Sequence, residues 1–165
     1  NPAKVLALGL GATVPVVLGD GPLTGVAATR AASMLARTAR VPATHGALPD
    51  AASQVVACLD GPFGSGPDDG PGAFTDGPPT QRLGLLALRD PDQTPDAVAL
   101  ADAVVASARE SGISVFEKEA RSGAPIERLA SLVALTDFTA TYLALGLGLD
   151  PSVSRHVTEL RDRTS

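Results

Sequence analysis

Short, nearly continuous apolar runs alternate along this chain with longer segments whose apolar residues recur at helical spacing. Asn1-Pro2 supplies a cap and a first-turn proline ahead of Val5, Leu6, Leu8 and Leu10, and Gly9 and Gly11 close that short helix. Thr13 to Leu18 is a β-branched run too short for a helix, and Gly19-Asp20-Gly21-Pro22 stops it, so it reads as a buried strand. From Leu23 to Ala39, Val26, Ala27, Met34 and Leu35 recur with Arg30 and Arg37 between them, the period of a helix. Val41-Pro42-Ala43 and a turn at Leu48-Pro49-Asp50 lead to Gln54–Leu59, read as a second apolar strand that carries Cys58 into the core.

Between Asp60 and Gln81, Gly and Pro make up about half of the residues, a composition in which no regular element survives. The stretch 59–81 is therefore expected to be a flexible loop without a site. Arg82 to Leu88 is apolar almost throughout, as in a strand covered on both faces. A helix from Pro95 to Ser111 follows, closed by Gly112. Ile113 to Glu117 is the next strand, with Ile113, Val115 and Glu117 on one face and Ser114 and Phe116 on the other. A long Leu- and Ala-rich helix from Ile126 to Gly146 is apolar nearly all round, and Asp150-Pro151 caps a last polar helix.

Strands that alternate with helices require crossovers and mostly parallel pairing. The expected fold is an α/β three-layer αβα sandwich on a mostly parallel sheet of about four or five strands. In such sheets ligands sit beyond the carboxyl ends of the strands, where glycine turns lead into helix N-termini.

The 165 residues carry 13 Lys and Arg against 18 Asp and Glu, a formal net charge of −5. That balance gives no electrostatic footprint for phosphate backbones and argues against nucleic acid. The lone Cys58 has no disulfide partner and no second thiolate for a metal, so no metal or cofactor is expected. Neither an uninterrupted apolar span of membrane length nor a leader pattern is present, and a cytoplasmic location away from membranes is expected.

Several stretches read as more than fold. Asp137-Phe138, Tyr142-Leu143-Ala144 and Asp150-Pro151 resemble the C-terminal signature of the bifunctional phosphoglucose/phosphomannose isomerases of bacteria and archaea. Gly21-Pro22-Leu23-Thr24-Gly25-Val26-Ala27, Val41-Pro42-Ala43 with Leu48-Pro49-Asp50, and Leu88-Arg89-Asp90 match the same family in the same order. The family carries two sugar-isomerase (SIS) domains, and residues 1–165 resemble the second alone. The resemblance implies aldose–ketose isomerisation of hexose 6-phosphates, a preceding SIS domain, a homodimer, or both as partners, and no cofactor.

It also implies positions for the chemistry. The family's proton-shuttling Glu falls on Arg37 and its ring-opening His on Ser53, while its C-terminal Lys falls on Arg161 and the second Glu of its turn on Asp50. Arg37 stays protonated and abstracts no proton, and a serine without a base is a poor acid or base near neutrality. His45 is the one weak substitute, although a lone histidine beside a proline turn reads first as a surface or interface residue. Gly21, Thr24 and Gly25 form the expected substrate-binding turn, with amide groups and a hydroxyl at a helix N-terminus. The competing expectation is a catalytically degenerate module that binds sugar phosphate or holds a dimer together. Asp137, a carboxylate in an apolar helix, is expected to be held structurally by a hydrogen-bonding partner.

Overall fold

The computed structural model describes residues 1–64, 82–152 and 154–164. Its elements run α1 (Pro2–Leu10), β1 (Thr13–Gly19), α2 (Pro22–Met34, continued by a π turn at Leu35–Ala39), β2 (Thr44–Ala47), α3 (Ala52–Leu59), β3 (Arg82–Arg89), α4 (Pro95–Glu110), β4 (Ser114–Glu119), α5 (Pro125–Gly146) and α6 (Arg155–Thr164). The four strands lie in the order β2-β1-β3-β4, every pair parallel. The expected mostly parallel α/β architecture is what forms.

The alternation of side chains along the strands divides the core in two. Val17, Leu86, Leu88 and Phe116 face a layer made by α1, α2 and α5, where Leu6, Leu10, Ala27, Ala31, Leu132, Ala140 and Leu143 pack. Leu18, Leu83, Leu85, Ala87 and Val115 face the other layer, where α3 and α4 contribute Val55, Leu59, Ala101, Val104 and Val105. β3 is buried from Leu83 to Leu88 because both faces are covered. The small residues Ala27, Ala28 and Ala31 of α2 are wholly buried and let that helix approach the sheet and α5 closely.

Two expectations change. Gln54–Leu59 lies within helix α3, not in a strand, with only Val55 and Leu59 buried on its inner side. A six-residue apolar run has the same composition in either element, and the spacing of Val55 and Leu59 at i and i+4 is what packs. The strand of that unit is Thr44–Ala47, a short edge strand of small and polar residues. Cys58 consequently sits on the outer side of α3 and is exposed, not buried.

α2 ends in a π turn closed by Arg40, whose φ of 57° places it in the left-handed region and whose guanidinium donates to the Thr38 and Asp150 carbonyls. The segment 65–81, most of the expected loop, lies outside the described residues. α5 is long and apolar enough to cross a membrane by length and composition. In this fold it instead buries Leu132, Thr136, Ala140 and Leu143 against its neighbours and carries Glu127, Arg128 and Asp137.

Candidate functional site

The carboxyl ends of β1 and β3 meet where the chain order reverses, the place at which open parallel sheets hold ligands. Here that crevice is filled by side chains. Asp20, 3% exposed, follows the end of β1 and accepts the Asp90 amide at 3.0 Å and the Thr24 hydroxyl at 2.9 Å. Arg89 approaches it at 3.6 Å and pairs with Asp102 at 2.7 Å. From the N-terminal turn of α5, Arg128 reaches Asp90 at 2.9 Å and Asp92 at 2.5 Å. Burial raises the Asp20 carboxyl above its ordinary range, opposed by the Asp90 amide, the Thr24 hydroxyl and Arg89.

The expected binding turn belongs to this closed network. Thr24 is fully buried; its hydroxyl accepts the Gly21 amide at 2.9 Å while facing Asp20 and the Gly21 carbonyl. Gly21 is buried beneath the side-chain amide of Gln93, so its N–H and the Thr24 hydroxyl serve the loop itself. Gly25 differs. It opens onto a pocket of about 490 Å³ between α2, β2 and α3, together with Thr29, His45, Gly46, Asp50 and Gln54. The two glycines let the surrounding elements close up: a Cβ on Gly25 would press on Ala47 of β2, and one on Gly46 would collide with Ala51 ahead of α3. His45 thus lines the same cavity as Gly25. Its Nδ1 lies 3.3 Å from the Thr29 hydroxyl, which also lies 3.0 Å from the Gly25 carbonyl.

The other expected positions do not converge. Ser53 sits in the first turn of α3, exposed, at the carboxyl end of the sheet. Arg37 lies in the π turn after α2, and fifteen residues of helix from Pro22 carry it about 22 Å toward the opposite end. Arg161 is on α6, a helix that buries none of its described residues. Asp137 is held, as expected for a carboxylate in an apolar helix, by Arg30 at 2.8 Å. His156 stands exposed on α6 beside Glu159.

Sequence reasoning missed the Asp20–Arg89 and Asp90–Arg128 pairs, which join residues far apart in the chain. It also missed Gln54, hidden by the strand reading of its segment. The spacing of Thr29 one turn after Gly25 was the available signal for the third pocket residue.

A four-stranded parallel sheet with helices on both faces is an open α/β domain. Over residues 1–164 the chain matches the family model described as the bacterial phospho-glucose isomerase C-terminal SIS domain, and it belongs to that family. A solved structure, that of a glucose-6-phosphate isomerase-like protein from Thermus thermophilus, superposes with a TM-score of 0.63 at 24% identity, covering 92% of this chain and 43% of that one. The chain therefore spans less than half of that neighbour's length, and the likeness speaks to the fold. No curated protein sequence matches it.

Proposed function

We propose that this chain is the second SIS domain of a two-domain, cytoplasmic, isomerase-like protein, and that it binds hexose 6-phosphate at the α2–β2–α3 pocket without turning it over. The observation that carries this reading is the chemistry of Arg37 and Ser53. Interconversion of glucose 6-phosphate or mannose 6-phosphate with fructose 6-phosphate needs a base that moves a proton between C2 and C1 and an acid that opens the ring. At these two positions the chain has a permanent cation and an unassisted hydroxyl, at opposite ends of the sheet. What supports binding is the pocket between α2, β2 and α3, with the His45 imidazole on its rim.

A second reading, turnover by His45 with Asp50, is favoured by their sharing one pocket. Asp50 is exposed, however, and lacks the desolvation that a proton-shuttling carboxylate draws on. The partners in this reading are a preceding SIS domain, a second copy of this chain, or both. Titration calorimetry of fructose 6-phosphate into the purified chain tests binding: saturable heat that Gln54→Ala weakens supports it, and heat indistinguishable from dilution overturns it.

A further inference from the structure

One short connection, Asp90–Thr94 between β3 and α4, closes the crevice at the carboxyl ends of β1 and β3, and it is held differently from the rest of the fold. We infer that this connection is a hinged strap, latched by Arg128, which opens as a unit while the sheet and both cores persist. The polar turn at Asp20, Gly21 and Thr24 is then gated and not permanently filled.

The strap has little backbone attachment. Among the described residues, the amides of Asp92 and Gln93 bond only inside it, to the Asp90 side chain at 3.1 Å and the Asp90 carbonyl at 3.3 Å. Pro91 has no amide to give. The Asp90 amide crosses to another element, and there it meets a side chain, the Asp20 carboxylate, at 3.0 Å. At the far end Thr94 belongs to α4, whose Ala97 amide its hydroxyl accepts at 3.3 Å. Between these ends Gln93 lays its side-chain amide over Gly21, so closely that a Cβ on Gly21 would collide with it.

The latch comes from α5. Arg128 reaches Asp90 and Asp92, one on either side of Pro91, and is itself fixed by the Gly123 carbonyl at 2.9 Å. Arg128 is buried, whereas the Asp92 side chain is 65% exposed, so water reaches one end of the latch. Arg128 Nε, although close to Asp90, is buried without a well-aligned hydrogen bond, and the closed form leaves that donor unsatisfied. None of the five strap residues belongs to either apolar cluster. β3 itself is paired on both sides and buried from Leu83 to Leu88. A segment with few buried apolar contacts and few backbone bonds opens at lower free energy than the elements beside it. Opening carries Gln93 off Gly21 and bares the side chains of Asp20 and Thr24.

Amide hydrogen exchange of the full chain, followed at increasing urea below the unfolding transition, tests this. The Asp90 amide reads the strap, and the Leu86 amide reads the sheet. In wild type, Asp90 should exchange through an opening that exposes little surface, at a rate nearly independent of urea, while Leu86 exchanges through global unfolding and follows urea steeply. Asp92→Asn, at the exposed end of the latch, should speed exchange at Asp90 about two- to tenfold and leave Leu86 unchanged. One shared rate and urea dependence for Asp90 and Leu86 in wild type would show that the strap opens only with the whole fold, and overturns the inference. So does an Asp92→Asn chain in which Asp90 is unchanged or in which both amides speed up equally. Neither reading depends on whether the α2–β2–α3 pocket binds a sugar phosphate.

Discussion

The hydroxyl of Thr24 lies 2.9 Å from Asp20 Oδ1, joining the first turn of α2 to the carboxyl end of the central strand β1. The same oxygen accepts the Gly21 amide, so one buried side chain satisfies the loop backbone and orients the carboxylate that receives the Asp90 amide from β3. The turn that resembles a binding loop is in this chain a closed structural joint.

Removing that hydroxyl should unfold the joint rather than alter a ligand contact. Thr24→Val leaves a buried amide and part of a buried carboxylate without a partner, at a cost of about 1–3 kcal/mol. Thr24→Ser should retain most of the stability. Urea unfolding of the three proteins checks this; equal midpoints for Thr24→Val and wild type would contradict it.

Asp20 gives the network a pH signature. Its carboxyl is raised above 3.8, chiefly by burial, so the native state holds that proton more tightly than the unfolded chain does. The contribution of Asp20 to stability therefore falls as pH rises through the window between 3.8 and the raised native value, and is constant outside it. Measured against Asp20→Asn, wild type should gain relative stability as pH is lowered through that window. A relative loss over the same range would show that the opposing pull of the Asp90 amide, Thr24 and Arg89 outweighs burial.

Much of the fold was legible because its signals are local. The run Leu83–Leu88 announces a strand covered on both faces, and Pro95 with Gly112 brackets α4. β2 was not legible: Thr44-His45-Gly46-Ala47 has no alternation to read, since an edge strand of four residues is defined by its pairing to Val16–Gly19 and not by its own pattern. With β2 unseen, the apolar run after it was read as the strand, which placed Cys58 inside and concealed Gln54. The site divided in the same way. Gly25 was visible as part of a glycine turn, but that Thr24 faces Asp20 and Gly25 faces Ala47 of β2 follows from the helical rotation of α2 against β2, which only packing determines.

Leu132 lies at the centre of α5 with 1% of its surface exposed, in the cluster that joins α1, α2 and α5. Leu132→Ala should destabilise the domain by about 2–5 kcal/mol. Leu147→Ala, on a side chain 48% exposed, should change stability by less than about 1 kcal/mol. Thermal or urea melts that rank the two the other way would refute the layer assignment.

The outer side of α1 and α5 leaves Leu8 and Leu147 exposed along a groove of about 350 Å³ that Tyr142 also lines, and Phe138 is exposed elsewhere on α5. Apolar surface of this kind favours association, and a stable pairing buries roughly 800 Å² per partner. The chain should sediment as a dimer at tens of micromolar, and Leu8→Asp should shift it toward monomer. A strict monomer at that concentration would contradict the expectation.

One nuclear magnetic resonance sample reads binding and chemistry together: labelled chain with excess fructose 6-phosphate, its amide spectrum and the sugar resonances followed over hours. The amides of Gly25, Gly46 and Gln54 should shift while those of Gly21 and Thr24, sealed in the Asp20 joint, do not, and fructose 6-phosphate should remain fructose 6-phosphate. Conversion to glucose 6-phosphate or mannose 6-phosphate that His45→Ala abolishes, or shifts confined to residues away from the α2–β2–α3 pocket, would contradict the proposed function.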